Sequence, residues 1–223
     1  MSARLARSFR LAAWSSLLVH SAGAGAHPCK LQPVVFVAQS ADAAWPSTPA
    51  AAKLLTEGGF RKSNDAPAGR RERHGIGEIL VTGEPAAVLA SVQRYGDYHE
   101  LAPKKFTTSR LVALSKTGQS DVYMQIAVLR GALTLWLTMR FDPPRIDASG
   151  ARVVEGRYLD GNLEGAHVRY VVASAGEHRT YVRLELWIGL PVPAPQGAID
   201  EELRDAAGDA LRGIAARFPA PAP

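Results

Sequence analysis

Three carboxylates in the last third of this 223-residue chain are the side chains best spaced for acid–base chemistry. Glu155, Asp160 and Glu164 lie within ten positions of one another, and two such groups can exchange protons with a substrate when burial raises the pKa of one of them. The segment Asp160-Gly161-Asn162 also suits a hairpin turn, because Asp and Asn side chains bond to the nearby backbone. We favour the turn, so the sequence predicts no acid–base pair here.

The remaining polar residues match no catalytic or metal-binding motif. His99, His167 and His178 are scattered, and the last two fall on polar positions of strands or turns, which predicts that they face solvent. The single cysteine, Cys29, excludes an intramolecular disulfide and a cysteine-clustered metal site. Nucleophile elbow, zinc-protease, P-loop and dinucleotide-binding motifs do not occur. We therefore expect no catalytic residue, no metal and no cofactor.

The N-terminus has the pattern of an export signal. Residues 1–26 contain Arg4, Arg7 and Arg10 without an acidic residue, then an apolar stretch, then small residues up to Ala26. This order is typical of a signal peptide, and the apolar stretch is too short for a permanent membrane span. We expect cleavage after Ala26 and a periplasmic or secreted protein. Cleavage lowers the formal net charge from +5 to +2, which argues against nucleic acid as a partner.

Two further segments lack a regular pattern. Residues 27–53 are interrupted by prolines and predict a loosely structured lead-in, and residues 219–223 form a Pro/Ala tail. Residues 60–75 are polar and predict a loop that carries Arg70, Arg71 and Arg73. We favour a solvated loop. The alternative is transient contact of these arginines with an anionic membrane.

Period-two alternation of apolar and polar residues dominates the middle of the chain. A first strand at 75–81 is followed by a short helix that begins at Pro85 and by a helical turn at 98–101. Strands are then predicted near 108–115, 122–129, 133–142, 152–159, 167–172 and 182–188, and their short connections favour an antiparallel meander. Residues 198–217 place apolar side chains three and four apart, which predicts an amphipathic helix. The pattern indicates an α+β fold with one core.

Several short motifs agree with this order of elements. They are Gly77-Glu78-Ile79-Leu80-Val81 before Pro85, Tyr95-Gly96-Asp97-Tyr98, residues 156–162, Arg179-Thr180 and the proline-rich loop at 191–195. On these motifs, residues 54–218 resemble the START-like (SRPBCC) superfamily, specifically its bacterial polyketide cyclase/dehydrase and coenzyme Q-binding branch. The resemblance implies a helix-grip fold, in which a curved antiparallel sheet wraps around a long C-terminal helix and two short helices follow the first strand.

The resemblance also implies an apolar ligand cavity between the sheet and the long helix, with a filled core as the alternative. The residues predicted to line it are Met124, Ile126, Leu135, Leu137, Met139, Tyr158, Tyr170, Val172, Leu184, Leu186, Leu203, Ala207 and Leu211. We therefore expect an exported, non-enzymatic protein that binds or carries a lipid, an isoprenoid quinone or another apolar molecule.

Two other functions stay open at this point. One is a cyclase/dehydratase-type enzyme that acts on an apolar substrate in the same cavity, for which Glu155, Tyr158 and Tyr170 are the candidate polar groups. The other is a module that docks on a membrane or a protein through the loop with Arg70, Arg71 and Arg73.

Overall fold

Alternating apolar and polar residues form an antiparallel sheet in the computed structural model, which describes residues 53–54, 59–64, 73–128, 131–188 and 195–219. The sheet has nine strands within these residues. They are β1 (Phe60–Ser63), β2 (Arg73–Thr82), β3 (Phe106–Leu114), β4 (Ser120–Val128), β5 (Leu133–Phe141), β6 (Arg145–Ile146), β7 (Arg152–Gly161), β8 (His167–Ser174) and β9 (Arg179–Ile188). Their order is β1-β2-β9-β8-β7-β5-β4-β3, and the short β6 pairs with β7.

The helices follow the predicted order. They are α1 (Pro85–Val92), a 3₁₀ turn (Tyr95–Asp97), α2 (Tyr98–Leu101) and the long α3 (Gln196–Ala216). The α+β, helix-grip class is thereby confirmed: two short helices follow β2, and the long helix packs on one face of the antiparallel sheet. No helix within the described ranges is long and apolar enough to cross a membrane.

The sheet presents one apolar face to α3, which we call the inner face. Side chains alternate along a strand, so Met124 of β4 pairs with Leu137 of β5, and Val122 pairs with Met139, on this face. The opposite, outer face carries polar partners such as Gln125 in the same strands. The main core therefore lies between the inner face and the helices.

Two glycines let α3 approach the sheet at β2. A Cβ atom on Gly75 would lie 2.5 Å from the backbone carbonyl carbon of Leu203, and one on Gly77 would lie 2.8 Å from Cδ1 of Leu211. Real Cβ atoms do not come this close to their neighbours. Glycine at both positions therefore brings the helix into direct contact with β2.

The loop predicted for residues 60–75 is wrong in part. Phe60–Ser63 forms β1, which pairs with β2 from Phe60 opposite Ile79 to Ser63 opposite Ile76. The side chain of Asn64 donates to the carbonyl oxygens of His74 at 2.9 Å and Asp200 at 2.7 Å. Only one of the four strand residues is apolar, so pairing with β2, not local pattern, creates this strand.

Several predictions fall outside the described residues. These are the signal peptide at 1–26, the lead-in up to residue 52, Arg70, Arg71 and residues 220–223 of the tail. Arg73 belongs to β2, and its guanidinium is 3.0 Å from a carboxylate oxygen of Asp200. The hypothesis of membrane contact through Arg70, Arg71 and Arg73 stays a prediction.

Candidate functional site

A cavity of about 140 Å³ lies between the inner face and α3. An apolar cavity of about 150 Å³ is large enough to hold benzene, whereas pockets for drug-sized ligands start at about 300 Å³. In this structure the cavity therefore fits one ring or one short chain. Its wall consists of Tyr98, Lys105, Phe106, Met124, Ile126, Val128, Leu133, Leu135, Leu137, Met139, Phe141, Leu163, Ala166, His167, Val168, Tyr170, Leu184, Leu186, Trp187, Ile188, Ile199, Glu202, Leu203, Ala206 and Ala210.

Nine of the thirteen residues predicted to line a cavity are part of this wall. They are Met124, Ile126, Leu135, Leu137, Met139, Tyr170, Leu184, Leu186 and Leu203. All but Leu203 belong to strands β4, β5, β8 and β9, where alternation fixes which side chains face the helix. Binding of a ligand by these residues stays a prediction.

Four predicted residues, Tyr158, Val172, Ala207 and Leu211, do not line the cavity. Val172, Ala207 and Leu211 are fully enclosed in the core. Ala207 and Leu211 pack against β2 at Gly77, where an added Cβ atom would lie 2.8 Å from Leu211 and 3.1 Å from Ala207. Tyr158 is half-buried, and its hydroxyl donates to the carbonyl oxygen of Gly161 at 2.6 Å. The Tyr158 hydroxyl is therefore hydrogen-bonded within its own strand, at the end of β7.

The sequence analysis missed an aromatic part of the wall. The ring of Phe141 stacks on Tyr95 with a centroid distance of 4.2 Å and meets the ring of Tyr98 edge-on at 6.3 Å. Opposite Phe141, a Cβ atom on Gly156 would lie 2.6 Å from the Phe141 ring. Gly156 therefore makes room for Phe141. The sequence signal for this contact was the apolar residue Phe141 at the end of the alternation in β5, together with Gly156 in the paired strand.

Two phenols are among the polar groups of the wall. Tyr98 and Tyr170 are both buried, and the Tyr98 hydroxyl donates to the carbonyl oxygen of Val92 at 2.9 Å. Burial raises the pKa of Tyr170 to about 12, and burial, with repulsion from Tyr170, raises the pKa of Tyr98 well above its usual value. Both phenols are therefore neutral near pH 7, which suits hydrogen bonding and not proton abstraction.

An ion pair between Lys105 and Glu202 contributes the charged part of the wall. The same two residues also line a polar cleft of about 600 Å³. The other residues of that cleft are Lys62, Lys104, Ala198, Glu201, Asp205, Asp209 and Arg212. The apolar cavity and the polar cleft therefore share the Lys105–Glu202 ion pair, which connects α3 to the turn before β3.

The candidate acid–base carboxylates lie away from the cavity. Alternation in β7 places Glu155 on the outer face, where its carboxylate is 3.4 Å from Arg145 and 3.6 Å from Arg169. Asp160 and Glu164 are exposed. No group of three or more metal-ligating side chains is found within the described ranges.

A buried charged row crosses the outer face. Glu78 is 1% exposed, and its carboxylate accepts from the hydroxyl of Tyr181 at 2.6 Å and from Arg183 at 3.3 Å. Arg61 of β1 donates to its other oxygen at 3.1 Å. Arg183 also donates to Glu185 at 2.6 Å. We call Arg61, Glu78, Arg183 and Glu185 the outer-face ion row.

His167 does not face solvent as predicted. Its ring stacks on Trp187 with a centroid distance of 4.7 Å, and His74 stacks on Trp187 at 4.6 Å. The three residues are directly paired across β2, β9 and β8. Alternation predicted the outward face of His167 and Trp187 correctly, whereas His74 belongs to β2 and not to the predicted loop. This side of the sheet is covered here, and all three side chains are buried.

Comparison with known proteins identifies the fold. A STAR-related lipid transfer protein from Xanthomonas axonopodis is 11% identical, covers 72% of this chain and 93% of its own, and superposes with a TM-score of 0.61. Human StAR-related lipid transfer protein 5 is 10% identical, with 72% and 82% covered and a TM-score of 0.58. The chain has the START-like fold.

A third solved structure has the same fold. A START superfamily protein from Mycobacterium smegmatis is 11% identical, with 65% of this chain and 96% of the other covered and a TM-score of 0.56. No protein-family model and no curated protein sequence matches the chain. At this level of identity the comparisons establish the fold of the START-like domain and leave its ligand to be inferred from the cavity.

Proposed function

We propose that this START-like domain binds a lipid or another apolar small molecule in its cavity, and that it carries this ligand outside the cytoplasm without reacting with it. The observation that carries the proposal is the apolar space of about 140 Å³ between the sheet and α3. A well-packed core has few voids larger than a water molecule. A ring or a single alkyl or isoprenoid segment fits this space.

The wall is suited to adapt to such a ligand. Met124 and Met139 are unbranched and change conformation at small cost. The small side chains of Ala206 and Ala210 occupy little space on the helix side of the cavity. A longer lipid or an isoprenoid quinone tail would need the two methionine side chains to move aside. The neutral phenols and the paired Lys105 and Glu202 favour binding over catalysis.

Export is supported by the sequence of residues 1–26. The proposal therefore includes a mature protein that begins at His27.

The test is to express the full chain with export, purify the mature protein gently, and identify what remains bound by mass spectrometry. The expected result is a defined apolar compound at about one per protein and an N-terminus at His27. Ala206→Leu fills the cavity and should remove the compound. Ala216→Leu is the matched control, because it makes the same change at an exposed position of α3. A wild-type protein that carries no such compound and binds no apolar probe would refute the proposal.

A further inference from the structure

The apolar cavity and the polar cleft lie on two sides of one seam between α3 and the turn before β3. On α3, Leu203 and Ala206 line the cavity, whereas Glu201 and Asp205 line the cleft. Successive side chains of a helix point in directions about 100° apart, and Glu202, between these two rows, lines both spaces. The side chain of Glu202 is therefore the boundary between cavity and cleft on the helix.

The turn before β3 is divided in the same way. Lys104 lines the cleft, Phe106 lines the cavity, and Lys105 between them lines both spaces. Lys105 pairs with Glu202 across the seam, and the two side chains are 16% and 23% exposed. At this point the cavity and the cleft are separated by two long side chains, which change rotamer readily.

The seam is closed in a different way near the end of α3. A Cβ atom on Gly213 would lie 2.0 Å from the carbonyl oxygen of Leu101, so the backbone of the helix is in direct contact with the end of α2. Arg217 then donates to Glu100 at 3.1 Å. Glu202 lies three turns before Gly213, about 16 Å along the helix. The seam therefore has a tightly packed end at Gly213 and an end at Glu202 that is bridged by side chains.

We propose that the seam at Glu202 and Lys105 is the entrance of the cavity and that this ion pair is its gate, so that an apolar ligand passes between cleft and cavity while the pair is broken. The inference rests on the proposed function. The cleft offers water and further charged groups to both heads once they separate, so opening leaves no charge in the apolar cavity. Ala206, one helical turn after Glu202, takes little space behind the pair.

A second ion pair of α3 provides the comparison. Lys62 of β1 pairs with Asp205, and these side chains are 38% and 36% exposed. Both residues line the cleft, and neither is part of the cavity wall within the described ranges. Breaking this pair removes a contact of the same kind from the same helix without opening a way into the cavity.

The experiment measures how fast para-fluorotoluene enters and leaves the purified protein. This probe is a single ring, which suits a cavity of about 140 Å³. Fluorine-19 NMR titrations and line shapes give the dissociation constant and the dissociation rate constant, and the association rate constant follows from the two.

Lys105→Met and Glu202→Gln each break the ion pair with little change in side-chain length. One ion pair of this exposure corresponds to a change of about three- to five-fold. We expect the association and dissociation rate constants to rise together by this factor, while the dissociation constant stays within about two-fold of the wild-type value.

Two further variants complete the test. Lys62→Met is the matched control, because it removes the same charge from an ion pair of the cleft that does not border the cavity; it should keep the wild-type rates. The double variant Lys105→Glu with Glu202→Lys restores the pair with reversed charges, and it should return both rate constants to the wild-type values.

Each outcome separates the two proposals. Unchanged rates in both single variants, or an equal acceleration in Lys62→Met, would overturn the gate and leave binding of apolar ligands intact. Faster dissociation without faster association would also overturn it, because that result indicates a lost contact with the ligand and not an easier passage. Failure of the wild type to bind para-fluorotoluene would count against the proposed function itself. The two single variants lie on opposite sides of the seam, so either one decides if the other does not fold.

Discussion

The contact between α3 and β2 makes a quantitative prediction for Gly75→Ala. The added Cβ would lie 2.5 Å, 2.6 Å and 2.8 Å from the carbonyl carbon, carbonyl oxygen and Cβ of Leu203. Ordinary contacts begin near 3.4 Å, so backbone must move by about 1 Å, which typically costs about 1–3 kcal/mol. Loss of glycine entropy in the unfolded chain offsets about 0.5–1 kcal/mol of this. The middle of these two ranges gives an expected net loss of about 1–2 kcal/mol in the free energy of unfolding.

Urea denaturation followed by circular dichroism measures this loss. With a slope of about 2 kcal/mol per molar urea, the midpoint should fall by about 0.5–1 M. Gly197→Ala is the matched control, because its Cβ would meet nothing within 4 Å and the position lies in the first turn of α3. That variant should be as stable as the wild type or more so. An unchanged midpoint for Gly75→Ala would show that the helix does not touch β2 as described.

Two more predictions concern buried polar groups. Glu78→Ala removes one of the two carboxylates that contact Arg183 and leaves the buried Tyr181 hydroxyl without its acceptor, so it should cost about 1–3 kcal/mol in urea denaturation. Glu177→Ala, at an exposed site, should cost almost nothing, and equal effects would contradict the outer-face ion row. The pKa of the Tyr170 phenol is about 12 in the folded protein, against 10.0 when exposed. Its contribution to stability is therefore complete below pH 10, and the free energy of unfolding should fall by about 3 kcal/mol between pH 10 and pH 12. If the loss of stability in this pH range is no smaller in Tyr170→Phe than in the wild type, this reasoning is refuted.

Local pattern predicted the sheet and the long helix because apolar side chains recur at a regular spacing, every second residue in the strands and every third or fourth in the helix. In β4 and β5 the same alternation that formed the strand also fixed which side chains face α3. Strand β1 could not be found this way, since its four residues contain one apolar side chain and depend on pairing with β2. Tertiary contact, and not propensity, decides such a strand.

The cavity was predictable on the sheet side and less so on the helix side. Leu203, Ala207 and Leu211 share one stripe of α3, yet Leu203 alone of these lines the cavity. Ala207 and Leu211 pack on Gly77, whereas Leu203 approaches Gly75 and still lines the cavity. Gly75 and Gly77, two glycines on one face of a strand, were the available sign that α3 approaches β2. Periodicity does not encode which of these contacts leaves room for a ligand.

The outer-face ion row also bears on how the strands find their partners. A slip of β2 by one residue against β9 would turn Glu78 toward the apolar core and move Gly77 away from α3, because successive side chains point to opposite faces. Burying that carboxylate away from Arg183 and Tyr181 is costly. The row therefore penalises misregistered pairings during folding, and it provides a specificity that the apolar face, with its interchangeable aliphatic side chains, would not supply.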